Sequence, residues 1–204
     1  MAHGFVRSAK ETSEMTSTGQ KSELRKEIRA RLEKISPAVR IAESIELSAR
    51  LEAQLQSAHT ILFFAPMTDE LDIWLLLQKK LEAKKICALP YFNSNAQIYS
   101  ARRVLNLEND VVAGKFGIRE PGANGEEIPL DKFDLVLVPG LAFDASGHRL
   151  GRGKGFYDRI LAKASGVKCG VAYDFQLVEK IPVEPHDAKV NFVLTPKRCV
   201  KIAN

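Results

Sequence analysis

A helix-length segment between two short apolar runs constrains the fold of this chain more than any other feature. The runs are residues 60–64 and 85–91, and both are rich in strand-forming side chains. Residues 69–83 between them have helical spacing, with an inward face predicted to contain Leu71, Trp74, Leu75 and Leu81. A crossover of this length joins parallel strands, and largely apolar strands are typical of a sheet covered on both faces. The order therefore predicts an α/β fold.

Two helices are predicted before the first strand. The first begins at Lys21 and has a stripe of apolar residues, namely Leu24, Ile28, Leu32 and Ile35. Ser36 and Pro37 end it and provide the N-cap and first turn of a second helix. The apolar stripe predicted for this second helix comprises Ile41, Ile45, Leu51 and Leu55. Residues 1–20 lack any packing pattern, so we expect a disordered tail and regard Met15 as a possible start.

The rest of the chain continues the alternation. Strands are predicted at residues 96–103, 133–139, 168–173 and 192–195, a helix at 155–164, and a loop region at 114–129. Together these elements predict a single three-layer α/β domain over residues 21–204. Its central sheet is expected to be mostly parallel, flanked by helices and preceded by the two N-terminal helices.

Composition excludes several classes of protein. Apolar residues make up 45% of the 204 residues and charged residues 27%, which is typical of folded domains rather than disordered chains. No apolar run approaches the ~18 residues of a membrane span. Three cysteines without paired motif spacing favour a reducing compartment, so we expect a cytoplasmic protein without membrane association. The net charge of +5 indicates an anionic partner.

The segment after the predicted strand at 133–139 carries the most chemical information. Its alternating glycines, Gly151, Gly153 and Gly155, allow the backbone to approach a ligand closely. The cations beside them are Arg149, Arg152, Lys154, Arg159, Lys163 and Lys168. Such a loop suits a polyphosphate. It matches neither G-x-x-x-x-G-K-[ST] nor G-x-G-x-x-G, so the residues alone leave open both a phosphate site and an ordinary solvated turn.

Five motifs give the chain a family resemblance. The longest, P-G-L-A-F-D-x-x-G-x-R-L-G-R-G-x-G-F-Y-D, covers residues 139–158. The others are K-x-x-L-R from Lys21, M-T-D-E-L-D at residues 67–72, F-G-I-R-E-P at 116–121 and H-D-A-K-V-N at 186–191. Together they resemble the 5-formyltetrahydrofolate cyclo-ligase family. The resemblance implies an enzyme that uses ATP as co-substrate and Mg²⁺ as cofactor to convert 5-formyltetrahydrofolate into 5,10-methenyltetrahydrofolate, releasing ADP and phosphate.

The resemblance also implies which residues bind ATP. Two come from the first helix and nine from the glycine-rich loop, namely Lys21, Arg25, Arg149, Leu150, Gly151, Arg152, Gly153, Lys154, Gly155, Phe156 and Tyr157. Four cations in this set are expected to stabilise the charge that spreads during phosphorylation of the formyl oxygen: Lys21, Arg149, Arg152 and Lys154.

Folate and magnesium residues follow in the same way. The folate pocket is implied to contain Met67, Glu70, Asp72, Phe116 and Tyr157. Asp158 is the implied magnesium ligand. Asn191 stands where family members often have a second carboxylate, and Asp187 is expected to provide the missing charge.

Other interpretations start from the same residues. Lys21 and Arg25 also fit the solvated face of an amphipathic helix, while Glu70, Asp72 and Asp158 also fit dipole stabilisation at helix starts. A basic nucleic-acid-binding module without catalysis is the main alternative function, but no recognition motif supports it and aromatic residues are only 7% of the chain. A sugar-phosphate or acyl-transfer enzyme on a similar scaffold is a third. We expect a monomer that binds no nucleic acid.

Overall fold

The computed structural model describes residues 16–93, 97–114, 118–185 and 187–202. Its helices are α1 Ser17–Leu32, α2 Pro37–Gln54, α3 Trp74–Glu82 and α4 Phe156–Leu161. Its strands are β1 Thr60–Leu62, β2 Ile86–Asn93, β3 Ile98–Val104, β4 Val111–Ala113, β5 Arg119–Pro121, β6 Glu127–Ile128, β7 Leu135–Pro139, β8 Ala142–Phe143, β9 Arg149–Leu150, β10 Val167–Val171, β11 Phe192–Leu194 and β12 Cys199–Lys201.

The central sheet has eight strands in the order β12-β11-β10-β7-β1-β2-β3-β6. The five strands from β11 to β2 pair in parallel, whereas β12, β3 and β6 pair antiparallel at the two edges. One face packs against α1, α2 and α3 through residues such as Ile28, Leu47 and Leu77. The other face packs against α4 through Ile160 and Leu161. The predicted α/β fold with a central sheet flanked by helices is confirmed.

The N-terminal helices differ from prediction in their start and their orientation. Helix α1 begins at Ser17, four residues early, because the Thr16 hydroxyl accepts a hydrogen bond from the Gly19 N–H. Helix α2 begins at Pro37 as predicted, and the Ser36 hydroxyl accepts from the Val39 N–H. The predicted inward positions Ile41 and Ile45 are wrong.

Ile41 is 63% exposed and Ile45 is 61% exposed. Ser44, one of the buried residues of α2, turns that helix. The Ser44 hydroxyl donates to the Arg40 carbonyl and accepts from the Asp72 N–H, which draws its face of α2 towards the segment after β1. The hydrogen bonds of the Ser44 hydroxyl therefore set the orientation of α2. The apolar pattern alone suggests a different orientation.

Helix α3 begins at Trp74 rather than at residue 69. Residues 69–73 form an irregular segment instead, and the Asp72 carboxylate accepts from the Trp74 N–H at the helix start. Leu75, predicted to face inward, is 66% exposed. Trp74 is half-buried, with the Arg119 guanidinium 4.2 Å from its ring centroid. The late start places the segment 67–72 at the end of β1 as a loop able to line a site.

Six short strands were not predicted, namely β4, β5, β6, β8, β9 and β12. The region 114–129, expected to be a loop, contains β5 and β6, and β5 pairs with β4. Strand β12 adds an antiparallel edge.

None of the helices in the described ranges is both long enough and apolar enough to cross a membrane.

After β7 the chain folds into the β8–β9 hairpin, which carries the glycine-rich loop. The Phe143 ring packs so closely on β10 that a Cβ at Gly170 would lie 2.7 Å from it. Asp144, 2% exposed, accepts N–H groups of Ser146 at 2.9 Å, His148 at 3.0 Å and Ile181 at 3.0 Å. Burial raises the pKa of this carboxyl, but these hydrogen bonds outweigh burial, and the pKa lies below its usual range. Asp144 thus fixes the turn that precedes Arg149.

We predict that Asp144→Ala destabilises the protein by about 3 kcal/mol or more, because several backbone N–H groups lose their acceptor in a dry position. Denaturant unfolding measures this. Since the folded-state pKa is lowered, the contribution of Asp144 is complete above pH 3.8 and declines as the pH falls further, so the difference from the wild type should shrink there. The exposed Asp131→Ala variant is the control and should stay within about 0.5 kcal/mol of the wild type. Equal stability of both variants would contradict the role of Asp144.

Candidate active site

The start of α1 lies near the carboxyl ends of the central strands β1 and β7. Ligand sites of parallel sheets lie at the carboxyl ends of the strands. The Arg25 Nε–H donates to the Gly151 carbonyl at 3.0 Å, which holds α1 against the glycine-rich loop. One turn earlier on α1, the Lys21 ammonium bonds Asp187 Oδ2 at 2.7 Å and lies 3.4 Å from Glu184 Oε2. Lys21 is only 6% exposed, so it does not belong to a solvated helix face.

Arg149 at the start of β9 is the second buried cation. Its Nη2 donates to Asp158 Oδ1 at 2.6 Å, and its side chain is 5% exposed. Asp158 lies in the first turn of α4, so the ion pair spans the glycine-rich loop from one end to the other. Within the residues that the structure describes, the buried Nε–H of Arg149 has no hydrogen-bond partner. Because it is buried, a ligand would reach that N–H group only if the loop moved.

Arg152 joins the glycine-rich loop to the segment after β1. Its Nη2 donates to Asp69 Oδ1 at 2.6 Å and to Glu70 Oε1 at 3.1 Å. Glu70 Oε2 in turn accepts the Met67 N–H at 2.9 Å. Burial raises the pKa of Glu70, although the Met67 N–H and Arg152 oppose this effect. The residues predicted for ATP and those predicted for folate are therefore in direct contact here.

The glycines shape the loop between these cations. Gly153 and Gly155 have φ values of +98° and +63°, in the left-handed region that side chains with a Cβ rarely adopt. A Cβ at Gly151 would lie 2.8 Å from Arg149 Nη1. Leu150 is buried beneath the loop and Lys154 is exposed on it. The predicted ATP-binding residues thus surround one short stretch of backbone.

Phe156 and Tyr157 point to different neighbours. The Phe156 ring contacts Tyr99 of β3 edge-on, with 4.9 Å between centroids, and so anchors α4 to the sheet. The Tyr157 ring lies with its centroid 5.8 Å from the Arg149 guanidinium carbon. Burial raises the pKa of Tyr157 well above its usual value, and the nearby Glu70 carboxylate adds to this effect. Tyr157 therefore stays a neutral hydrogen-bond donor beside Glu70.

The structure separates the other predicted folate residues. Met67 is half-buried beside Glu70, whereas Asp72 is exposed and its carboxylate caps the start of α3. Phe116 lies outside the described residues. Its predicted role in the folate pocket stays a prediction.

The predicted magnesium residues lie at two ends of the sheet. Asp158 and Asp187 pair with Arg149 and Lys21 at the site. The side-chain oxygen Oδ1 of Asn191 instead accepts the Lys168 backbone N–H at 2.8 Å, and Asn191 directly precedes the first residue of β11. Asn191 therefore lies at the amino end of the parallel strands, away from Asp158. No group of three or more His, Cys, Asp or Glu residues suited to a metal ion occurs among the described residues.

Two residues of the site were not predicted. Asp69, inside the M-T-D-E-L-D motif, makes the shorter of the two bonds to Arg152. Asp144, inside the long motif, fixes the hairpin that carries Arg149. Their presence in the motifs was the available signal, but the residues that they contact could not be read from the sequence.

Comparisons with known proteins place this site in a family. Residues 17–196 match the model of the 5-formyltetrahydrofolate cyclo-ligase family. A 5-formyltetrahydrofolate cyclo-ligase of Mycolicibacterium smegmatis is 36% identical, with 87% of this chain and 94% of that protein aligned. The mouse protein of the same name is 32% identical, with 88% of this chain and 95% of that protein aligned.

A solved structure agrees in fold and in sequence. The 5,10-methenyltetrahydrofolate synthetase of Aquifex aeolicus superposes with a TM-score of 0.81 and is 33% identical, covering 90% of this chain and 93% of that one. The family match covers most of the chain, and the two curated relatives align over nearly their full lengths. The resemblance carried by the motifs is confirmed: the chain belongs to the 5-formyltetrahydrofolate cyclo-ligase family.

Proposed function

We propose that the chain converts 5-formyltetrahydrofolate into 5,10-methenyltetrahydrofolate in a reaction that consumes ATP and requires Mg²⁺. The observation that carries this proposal is the contact of Arg152 with Asp69 and Glu70. It brings the glycine-rich loop and the segment 67–72 together, as transfer of a phosphoryl group between two bound substrates requires.

ATP phosphates fit the cations of the site. Arg149 and Arg152 belong to the loop itself, and Arg25 reaches it from α1. Lys21 lies one turn earlier on the same helix, where it pairs with Asp187. Guanidinium groups and an ammonium around exposed backbone N–H groups suit a triphosphate better than a single carboxylate. The unpartnered Nε–H of Arg149 supplies a further donor if the loop rearranges when the nucleotide binds.

The folate fits the other side of Arg152. Tyr157 offers a neutral hydroxyl and an aromatic face, and Met67 offers adaptable apolar surface to a flat ring. Glu70 is able to accept hydrogen bonds from the amino and ring N–H groups of the pterin. In this arrangement the formyl group faces the glycine-rich loop. Asp72 and Phe116 stay predicted members of the same pocket.

The chemistry explains why the reaction needs ATP. A formamide carbon is a poor electrophile, and its oxygen is a poor leaving group. Transfer of the γ-phosphoryl group to the formyl oxygen gives an iminium phosphate and ADP. The N10 nitrogen then attacks the formyl carbon and gives up its proton to water or phosphate, and cleavage of the C–O bond releases phosphate and leaves the methenyl bridge. Lys21, Arg149, Arg152 and Lys154 would stabilise the negative charge that spreads over the transferred group.

Asp158 and Asp187 are the residues that fit Mg²⁺. Magnesium prefers oxygen ligands and is often held by one or two carboxylates together with phosphates and water. Both carboxylates lie beside cations of the proposed phosphate site. When bound, the ion would neutralise phosphate charge. We do not include Asn191, because its side-chain carbonyl accepts a backbone hydrogen bond at the other end of the sheet.

The buried cations also bear on the alternative function. A nucleic-acid-binding surface presents its cations outward to a phosphate backbone. Lys21 and Arg149 are instead buried and paired with carboxylates. This arrangement favours a small phosphorylated ligand. We further propose a cytoplasmic monomer, in keeping with the free thiols of Cys87, Cys169 and Cys199.

Formation of methenyl product, followed by absorbance, tests the proposed function. We expect product from 5-formyltetrahydrofolate only when both ATP and Mg²⁺ are present, together with one ADP per product. Omission of ATP is the internal control. Absence of product under complete conditions would refute the assignment of this reaction to the chain.

Loss of a buried cation should weaken nucleotide binding. We predict that Lys21→Ala and Arg152→Ala each raise the Kd of a non-hydrolysable ATP analogue by about tenfold or more, because charge-assisted contacts contribute ~1.5 to 3 kcal/mol each. Calorimetric titration measures the Kd. The exposed Lys34→Ala variant, near the end of α1, is the matched control. Unchanged affinity in both test variants would exclude these residues from the nucleotide site.

Metal dependence should change when Asp158 is altered. We predict that Asp158→Asn raises the Mg²⁺ concentration for half-maximal activity several-fold, since one oxygen ligand loses its charge. Binding of the metal-free nucleotide analogue should change much less. Asp131→Asn is the control for a general loss of negative charge. An unaltered Mg²⁺ requirement would leave Asp158 with a purely structural role beside Arg149.

A further inference from the structure

One nitrogen of Arg152 bridges two neighbouring carboxylates. Nη2 carries two N–H groups, and its two bonds go to Asp69 Oδ1 at 2.6 Å and Glu70 Oε1 at 3.1 Å. Both donors of this nitrogen are therefore committed to the segment after β1. Because Arg152 belongs to the glycine-rich loop, the position of that loop cation depends on residues of a different segment.

The two carboxylates are not equivalent. The Glu70 side chain is 11% exposed, accepts the Met67 N–H and is near enough for its charge to raise the pKa of Tyr157. The Asp69 side chain is 30% exposed and makes the shorter bond to Arg152. Glu70 thus faces the proposed folate pocket, whereas Asp69 holds Arg152 from outside it.

On the basis of the proposed function, we propose that Asp69 is a positioning residue that keeps Arg152 in place when the folate engages Glu70. Ring N–H groups of the folate would compete with Arg152 for the Glu70 carboxylate. If Arg152 loses its hydrogen bond to Glu70, its remaining bond to Asp69 keeps the guanidinium at the site. Without Asp69 it would regain the rotamer freedom of a long side chain, which opposes phosphate binding.

This arrangement couples the two substrates. Folate binding releases one N–H group of Arg152 from Glu70, and Asp69 keeps the guanidinium where the ATP phosphates can accept that group. Folate should therefore tighten ATP binding, and ATP should tighten folate binding by the same factor. The role of Asp69 is largest when both substrates are bound and small when either is bound alone.

The test compares the wild type with Asp69→Asn, which keeps the shape of the side chain and removes its charge. We expect 5-formyltetrahydrofolate to lower the Kd of a non-hydrolysable ATP analogue at least about fivefold in the wild type and less than about twofold in the variant. The kcat of the variant should fall about tenfold or more, whereas its folate Kd measured without nucleotide should stay within about twofold, because Glu70 is intact. Asp69→Glu should recover part of the lost kcat.

The Glu126→Gln variant is the matched control. Glu126 pairs with Arg103 at 2.9 Å, on an exposed surface away from the loop, and its loss should leave both kcat and the coupling unchanged. If Asp69→Asn fails to fold, Arg152→Lys gives the same test. All donors of an ammonium lie on one nitrogen, so it cannot stay bonded to Asp69 while a separate N–H-bearing nitrogen faces the phosphates. Its coupling factor should then fall towards one.

The outcomes separate this proposal from the one on which it rests. Wild-type coupling in folded Asp69→Asn, or in Arg152→Lys where the former fails to fold, would overturn the positioning role alone. A rise in the nucleotide-free folate Kd of Asp69→Asn as large as its loss of kcat would also overturn it, since that result indicates general damage to the pocket. A wild-type protein that binds no ATP analogue in the presence or absence of folate would overturn both proposals.

Discussion

Pairing of buried cations with carboxylates from distant segments holds the site together. Lys21 and Arg149 are almost inaccessible to water, and a buried charge without a partner costs several kcal/mol. Lys21 therefore ties α1 to Asp187, and Arg149 ties the hairpin to Asp158 in α4. Arg152 adds the segment after β1 in the same way. The ion pairs fix the relative positions of elements whose apolar faces alone would permit several arrangements.

The sheet was predictable because its signal is local. Each parallel strand is an apolar run bounded by polar residues, and the crossover lengths determine strand direction. Helix orientation was less predictable. Ile41 and Ile45 fit an inward face by period, yet both are exposed, because Ser44 bonds to the segment after β1 and sets the orientation of α2. Leu75 on α3 is exposed as well. Strands β5 and β6 were missed because three and two residues are too few to show alternation.

The site was predictable where a motif names residues and unpredictable where a residue acts through a partner. Arg152 and Glu70 stood out in motifs, but Asp69 gained its role only from a contact 83 positions along the chain. The Asp144 carboxylate likewise meets Ile181 only in the folded chain. Asn191 shows the converse. Its position in a motif suggested a metal, and its backbone hydrogen bond to Lys168 supplies a structural reason for the residue instead.

The balance of charge at the proposed nucleotide site links the binding of ATP to the binding of Mg²⁺. Before a nucleotide binds, Lys21 and Arg149 are neutralised by Asp187 and Asp158. A triphosphate that draws these cations to itself leaves both carboxylates beside it without their partners, and several negative charges in a partly buried site repel one another strongly. A divalent cation is the charge that this arrangement needs, and the two carboxylates are the oxygen ligands that it prefers. The same ion pairs that hold the protein together without ligands therefore give a physical reason for the proposed joint requirement for ATP and Mg²⁺.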